Sequence, residues 1–183
     1  MAFKSPPIFR WFVQLLFAAL IATAPLNVSA GQYSAHQIQA LYLFNFASFI
    51  RWPAVAFESE SSPFVYCVLG KSNQVATTLS ALIKGERVGS REMKVRVVES
   101  LDDIGQCQVL MAVGEQSDQR SIALVHSYVL TVSDSKGFAG QGGMLELMQL
   151  GKRIKPIINI DQLNLVKLKA SSKLLRFSKQ VHN

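Results

Sequence analysis

Apolar residues follow two different rhythms along this chain. Residues 64–69, Phe-Val-Tyr-Cys-Val-Leu, form an uninterrupted apolar run of strand length closed by Gly70. Similar runs recur at 107–113 and 128–132. Residues 93–98 alternate instead, with Met93, Val95 and Val97 opposite Lys94 and Arg96, which predicts a strand exposed on one face. Helical stretches separate these runs. Ser72 is a favourable N-cap for a helix reaching about Lys84, and residues 117–126 read as another. Continuous strands alternating with helices predict a mainly parallel sheet covered on both faces, with its first three strands in the order 2-1-3.

After Val132 the pattern changes. Residues 133–143 are rich in glycine and turn formers, and 144–150 and 154–160 then read as two strands around Gly151-Lys152, a hairpin rather than another crossover unit. Asp161 is the expected cap of a helix from 162 to about 168, and Ser171 or Ser172 the cap of a last one containing Leu174, Leu175 and Phe177. The expected fold class is therefore α/β: a single domain whose mainly parallel central sheet is flanked by helices and ends in a C-terminal β-hairpin.

The first helix of this domain carries more apolar surface than one stripe can hold. Ser34 and Gln37 form a capping box, and residues 38–50 contain no Gly or Pro. Leu41, Tyr42, Leu43, Phe44, Phe46, Ala47, Phe49 and Ile50 wrap most of its circumference. Such a helix must be covered on more than one side, by the sheet and by a second subunit or partner.

The chain's first thirty residues belong to a different category. Lys4 and Arg10 precede an apolar run over 11–24, followed by Pro25 and the small residues Val28-Ser29-Ala30. The run is 14 residues long, short of the roughly 20 that span a bilayer. This is the pattern of a secretory signal peptide over 1–30, cleaved after Ala30 to leave a mature domain over 31–183. Export places the two cysteines, Cys67 and Cys107, in an oxidising compartment, where a structural bond between them is expected. No C-x-x-C pair supports an exchange role.

Charge is distributed unevenly. Counting Lys and Arg against Asp and Glu, residues 31–151 give 9 − 11 = −2 and residues 152–183 give 8 − 1 = +7. Export removes nucleic acid as the reason for the basic block. An acidic protein surface, anionic lipid headgroups, cell-wall polymer or a merely solvated face remain.

Nothing in the chain assembles into a catalytic or metal set. His36, His126 and His182 lack ligand spacing, so neither a metal nor a cofactor is expected. The loop over 133–143 sits where open α/β folds place ligands, but its glycines fit neither the dinucleotide nor the phosphate-loop spacing. Gly70-Lys71-Ser72 resembles the end of a phosphate loop, yet Val65 stands where the earlier glycine belongs. Asp134 and Ser135 read as turn residues and the glycines as positions of positive φ. With no base near Ser133 or Ser135, an enzyme is not expected. A small-molecule-binding module using a pocket near this loop is the alternative to a regulatory role. Trp52, within Arg51-Trp52-Pro53, reads as a packed cover in preference to an interface contact.

Leu41-Tyr42-Leu43-Phe44-Asn45-Phe46-Ala47 running into Arg51-Trp52-Pro53, then Cys67-Val68-Leu69-Gly70, Leu130-Thr131-Val132-Ser133-Asp134, Gly137-Phe138, Gly142-Gly143-Met144 and Ser171-Ser172-Lys173-Leu174-Leu175-Arg176 together resemble the YfiR family of exported bacterial proteins. The resemblance implies a periplasmic repressor that binds the periplasmic sensor domain of an inner-membrane diguanylate cyclase of the YfiN type and lowers cyclic di-GMP. It also implies release by an outer-membrane lipoprotein of the YfiB type, and a homodimer. Cys67 and Cys107 match one family disulfide, whereas the second pair found in four-cysteine members has no counterpart over 133–150. On this reading Leu41, Phe44 and Trp52, with Lys173 and Arg176 of the basic block, supply the partner contact.

Overall fold

The computed structural model describes residues 33–70, 73–114, 122 and 128–182. The expected signal peptide over 1–30, the expected cap Ser72 and, apart from Ile122, the expected helix over 117–126 lie outside the described residues.

Helix α1, Ala35–Phe49, begins as its sequence dictates. The Ser34 side chain accepts the Gln37 N–H and the Gln37 side chain accepts the Ser34 N–H, so two otherwise orphaned donors are satisfied. The two-residue strand β1, Ile50–Arg51, follows directly. Strand β2, Phe64–Leu69, is buried at every position, which explains why its sequence is apolar without alternation. Helix α2, Gln74–Leu82, is capped by Asn73, whose side chain accepts the Val75 N–H. It packs with α1 over the sheet and is followed by the short strand β3, Arg87–Val88, which turns back onto β4, Arg91–Val98.

Strands β5, Val109–Ala112, and β6, Leu130–Ser133, continue the sheet. The hairpin β7, Leu145–Leu150, and β8, Arg153–Asn159, forms as its sequence predicts, with Leu150 opposite Arg153. Helix α3, Ile160–Leu165, strand β9, Lys169–Ala170, helix α4, Ser172–Phe177, and strand β10, Lys179–Val181, complete the chain. The described strands form an eight-stranded sheet ordered β10-β8-β7-β6-β5-β2-β4-β3 and a separate antiparallel pair, β1-β9. Five of the seven neighbouring pairs in the large sheet are parallel. The β4-β2-β5 segment has the expected 2-1-3 order.

The sheet separates two apolar layers. On one side Leu43 and Phe46 of α1 and Leu79 of α2 meet Tyr66, Met111 and Val132. On the other, Val65, Leu110 and Ile122 enclose Cys67, Cys107 and Phe138. The apolar excess of α1 is largely absorbed within the fold. Leu43, Phe46, Ala47 and Ile50 are buried, while Tyr42, Phe44 and Phe49 are half-buried against the same core. Leu41 alone of that group stands in solvent, 51% exposed.

Several boundaries differ from the sequence reading for identifiable reasons. The cap of α3 is Asn159, whose side chain accepts the Gln162 N–H at 3.2 Å, and Asp161 lies inside the helix. This helix stops at Leu165, and Lys167 takes a left-handed φ of 59° before β9. Ser171 caps α4, as one of the two expected serines. Strands β3, β9 and β10 are only two or three residues long and carry no periodicity to read. Cys107 precedes β5 rather than lying within it. Cys67 is in register with Leu110, so an extended Cys107 would sit about 10 Å along the ladder. The turn at Gln106, with φ 66°, brings the Cys67 and Cys107 Cα atoms to 5.8 Å, and the disulfide forms.

Candidate partner-binding surface

Three elements build a cleft at the edge of the large sheet. Helix α1 contributes Tyr42, Asn45 and Phe49, strand β8 contributes Ile154, Lys155 and Pro156, and helix α4 contributes Lys173 and Phe177. Its floor and walls are mainly apolar, and its polar groups are fixed from below. The Tyr42 hydroxyl donates to the Ile154 carbonyl at 3.0 Å, and Asn45 Nδ2 donates to the Leu41 carbonyl at 2.7 Å. Burial raises the Tyr42 pKa, so its hydroxyl stays a neutral donor. Helix α4 is held to α1 by the Ser171 N–H, which donates to the Phe49 carbonyl at 2.7 Å. Lys173 Nζ lies 5.1 Å from the centre of the Phe49 ring, and Phe177 meets the same ring edge-on at 6.0 Å. Stacked this way, the ammonium covers an aromatic face, and among the described residues no carboxylate pairs with it.

The residues singled out from the sequence divide between this cleft and the core. Lys173 lines the cleft, Arg176 is exposed in the last turn of α4, and exposed Leu41 precedes Tyr42 on α1. Phe44 is half-buried against the core, and its carbonyl accepts the Tyr66 hydroxyl at 3.3 Å. Trp52 is directed to the start of β2 and β5. Its Nε1–H donates to the Gln108 carbonyl at 3.2 Å and its ring meets Phe64 edge-on at 4.8 Å. Phe49, Lys155 and Phe177 line the cleft as well, the first within the apolar stretch 41–52 and the other two within the basic block 152–183. Ile154 and Pro156 carried no signal of contact, because a hairpin strand reads the same whether its edge is covered or open.

The glycine-rich loop is organised inward. Asp134 accepts Gln39 Nε2–H at 2.9 Å and the Gly114 N–H at 2.7 Å, tying α1 to the ends of β5 and β6. Ser135 donates its hydroxyl to the Gly114 carbonyl at 2.6 Å. Buried Glu146 and Asn159 grip the two sides of Ala139, one accepting its N–H at 3.2 Å and the other donating to its carbonyl at 2.7 Å. Asp134 is therefore more than a turn residue. Gly137 and Gly142 have the expected positive φ, 85° and 99°. Gly143 does not. A Cβ there would overlap the buried Phe138 ring, so close packing explains this glycine. Among the described residues no three His, Cys, Asp or Glu side chains come together as a metal site, and no helix is long and apolar enough to cross a membrane.

Comparison with known proteins gives one decisive result. No curated protein matches the chain significantly. Among solved structures, a conserved domain protein from Vibrio cholerae O1 biovar El Tor strain N16961 is similar at 9% identity and a TM-score of 0.48. The match covers 84% of this chain and 62% of that one, and a likeness this loose has no bearing on function. The profile of a family described as YfiR/HmsC-like, by contrast, matches residues 36–179, from the first turn of α1 to the start of β10. That span takes in both core layers, the disulfide and the cleft, and on it the chain belongs to the YfiR/HmsC-like family.

Proposed function

We propose that this protein is an exported periplasmic regulator, made with a signal peptide over 1–30 and active as the domain over 31–183. It binds the periplasmic sensor domain of an inner-membrane diguanylate cyclase of the YfiN type, holds the enzyme inactive and keeps cyclic di-GMP low. An outer-membrane lipoprotein of the YfiB type sequesters it and releases the cyclase. The observation that carries this reading is the family match over nearly the whole described domain. The cleft between α1, β8 and α4 supports it, because an apolar centre with a charged rim is how a protein contact is built.

Leu41, Lys173 and Arg176 are the residues of this surface, whereas Phe44 packs on the core and Trp52 on Phe64. The protein acts as a homodimer and carries out no chemistry of its own. Deleting the gene in a strain that expresses the cyclase tests the reading. Cellular cyclic di-GMP rises and returns to its starting level when the exported chain is supplied again; an unchanged level rules the reading out.

A further inference from the structure

Tertiary contacts bring several cations close to one another. Arg51 and Lys169 stand opposite each other in the β1-β9 ladder. From β9 the chain enters α4, where Lys173 and Arg176 lie one turn apart. Lys173 shares the cleft with Lys155 of β8, and Lys179 of β10 is in register with Ile157, two residues further along that strand. All six side chains belong to exposed residues. The ion pairs seen among the described residues, Lys94 with Glu92 and His182 with Asp161, involve none of them. Like charges gathered this way repel one another, and an acidic surface brought against them relieves the repulsion.

We propose that this basic face docks an acidic surface of the partner protein, whose carboxylates meet Lys155, Lys173 and Arg176 while an apolar side chain enters the cleft between them. The inference rests on the regulator reading above and adds the partner's chemistry to it. Concavity decides for a protein over a lipid surface, since a flat array of headgroups leaves the cleft lined by Tyr42, Phe49 and Phe177 unfilled. Charge decides against a second copy of this chain on the same face, because a two-fold contact would set cations against cations.

The test titrates the purified exported protein with the purified periplasmic domain of a YfiN-type cyclase from the same cell, at about 50 mM and about 500 mM salt. Affinity falls at least about tenfold at the higher salt. The triple substitution Lys155→Glu, Lys173→Glu and Arg176→Glu weakens binding on the order of a hundredfold, whereas Lys84→Glu in the turn after α2 leaves it unchanged. Circular dichroism confirms the fold of each variant, and Lys155→Gln with Lys173→Gln substitutes if the triple variant is unfolded. Binding by the triple variant within about threefold of the parent, or binding indifferent to salt, overturns this inference and leaves the regulator reading standing. No binding by the unaltered protein removes both. Phosphatidylglycerol vesicles form the second arm. If they retain the parent but not the triple variant while affinity for the cyclase domain is unaltered, the face is a lipid surface and the inference is wrong.

Discussion

Replacing Trp52 by alanine separates packing from contact at the one aromatic that the sequence leaves between the two roles. The substitution removes an edge-on ring contact with Phe64 at 4.8 Å, worth about 1 kcal/mol. It also removes the hydrogen bond to the Gln108 carbonyl, worth about another 1 kcal/mol. That carbonyl still accepts the Leu130 N–H at 2.9 Å, so no orphan penalty follows. Losing the burial of a half-covered ring adds about 1–2 kcal/mol. The sum is about 3–4 kcal/mol, a large part of the roughly 5–15 kcal/mol of a typical domain. Trp52→Phe keeps an aromatic ring but loses the N–H and part of the indole's area, so at least about 1 kcal/mol is expected. Urea unfolding followed by circular dichroism reads both. With a slope near 2 kcal/mol/M, the midpoint falls by about 1.5–2 M for Trp52→Ala and at least about 0.5 M for Trp52→Phe. A Trp52→Ala protein as stable as its parent but defective in binding the cyclase domain would refute the packing argument.

The Cys67–Cys107 bond spans a sequence separation of 40, so Cys67→Ala with Cys107→Ala lowers stability by up to about 4 kcal/mol; equal urea midpoints for the parent with and without reductant would contradict this. Gly143→Ala forces the buried Phe138 ring to shift and costs about 1–3 kcal/mol, whereas Gly140→Ala meets open space and costs far less, a contrast read from paired thermal melts. Burial raises the Tyr66 pKa above its ordinary value of 10.0. The unfolded chain therefore loses this proton first: the contribution is fully present below about pH 10 and is lost as pH rises toward the folded value. Melts between about pH 9 and pH 12 show a decline that is shallower in Tyr66→Phe, and identical slopes would exclude the linkage.

Much of this architecture is legible in the residues because local chemistry and tertiary placement agree there. The capping box at Ser34 and Gln37, the unbroken apolar strand over 64–69 and the hairpin around Gly151 each specify their own geometry within a few residues. Where two residues compete for one role, the sequence is silent. Asn159 and Asp161 are both good helix caps, and only the path of β8 decides that Asn159 stands at the helix start. The apolar excess of α1 reads as surface for a partner, but α2, α4 and the sheet absorb most of it and leave Leu41 and one side of Tyr42 and Phe49.

The amino-acid sequence by itself determined the elements, the α/β class, the order of the first three strands, the pairing of two cysteines and the presence of an unbalanced basic block. Those properties follow from period, punctuation and composition, which are local or additive along the chain. The tertiary structure alone decided the short strands β9 and β10, the cleft between α1, β8 and α4, and the meeting of Lys155 with Lys173 at that cleft and of Arg51 with Lys169 in the β1-β9 ladder. β9 and the cleft depend on contact between segments more than a hundred residues apart, as where Ile50 meets Ala170 and Tyr42 meets Ile154, and β10 on its parallel pairing with β8. No pattern confined to one segment encodes such a meeting, because its free energy arises only when both surfaces leave water together.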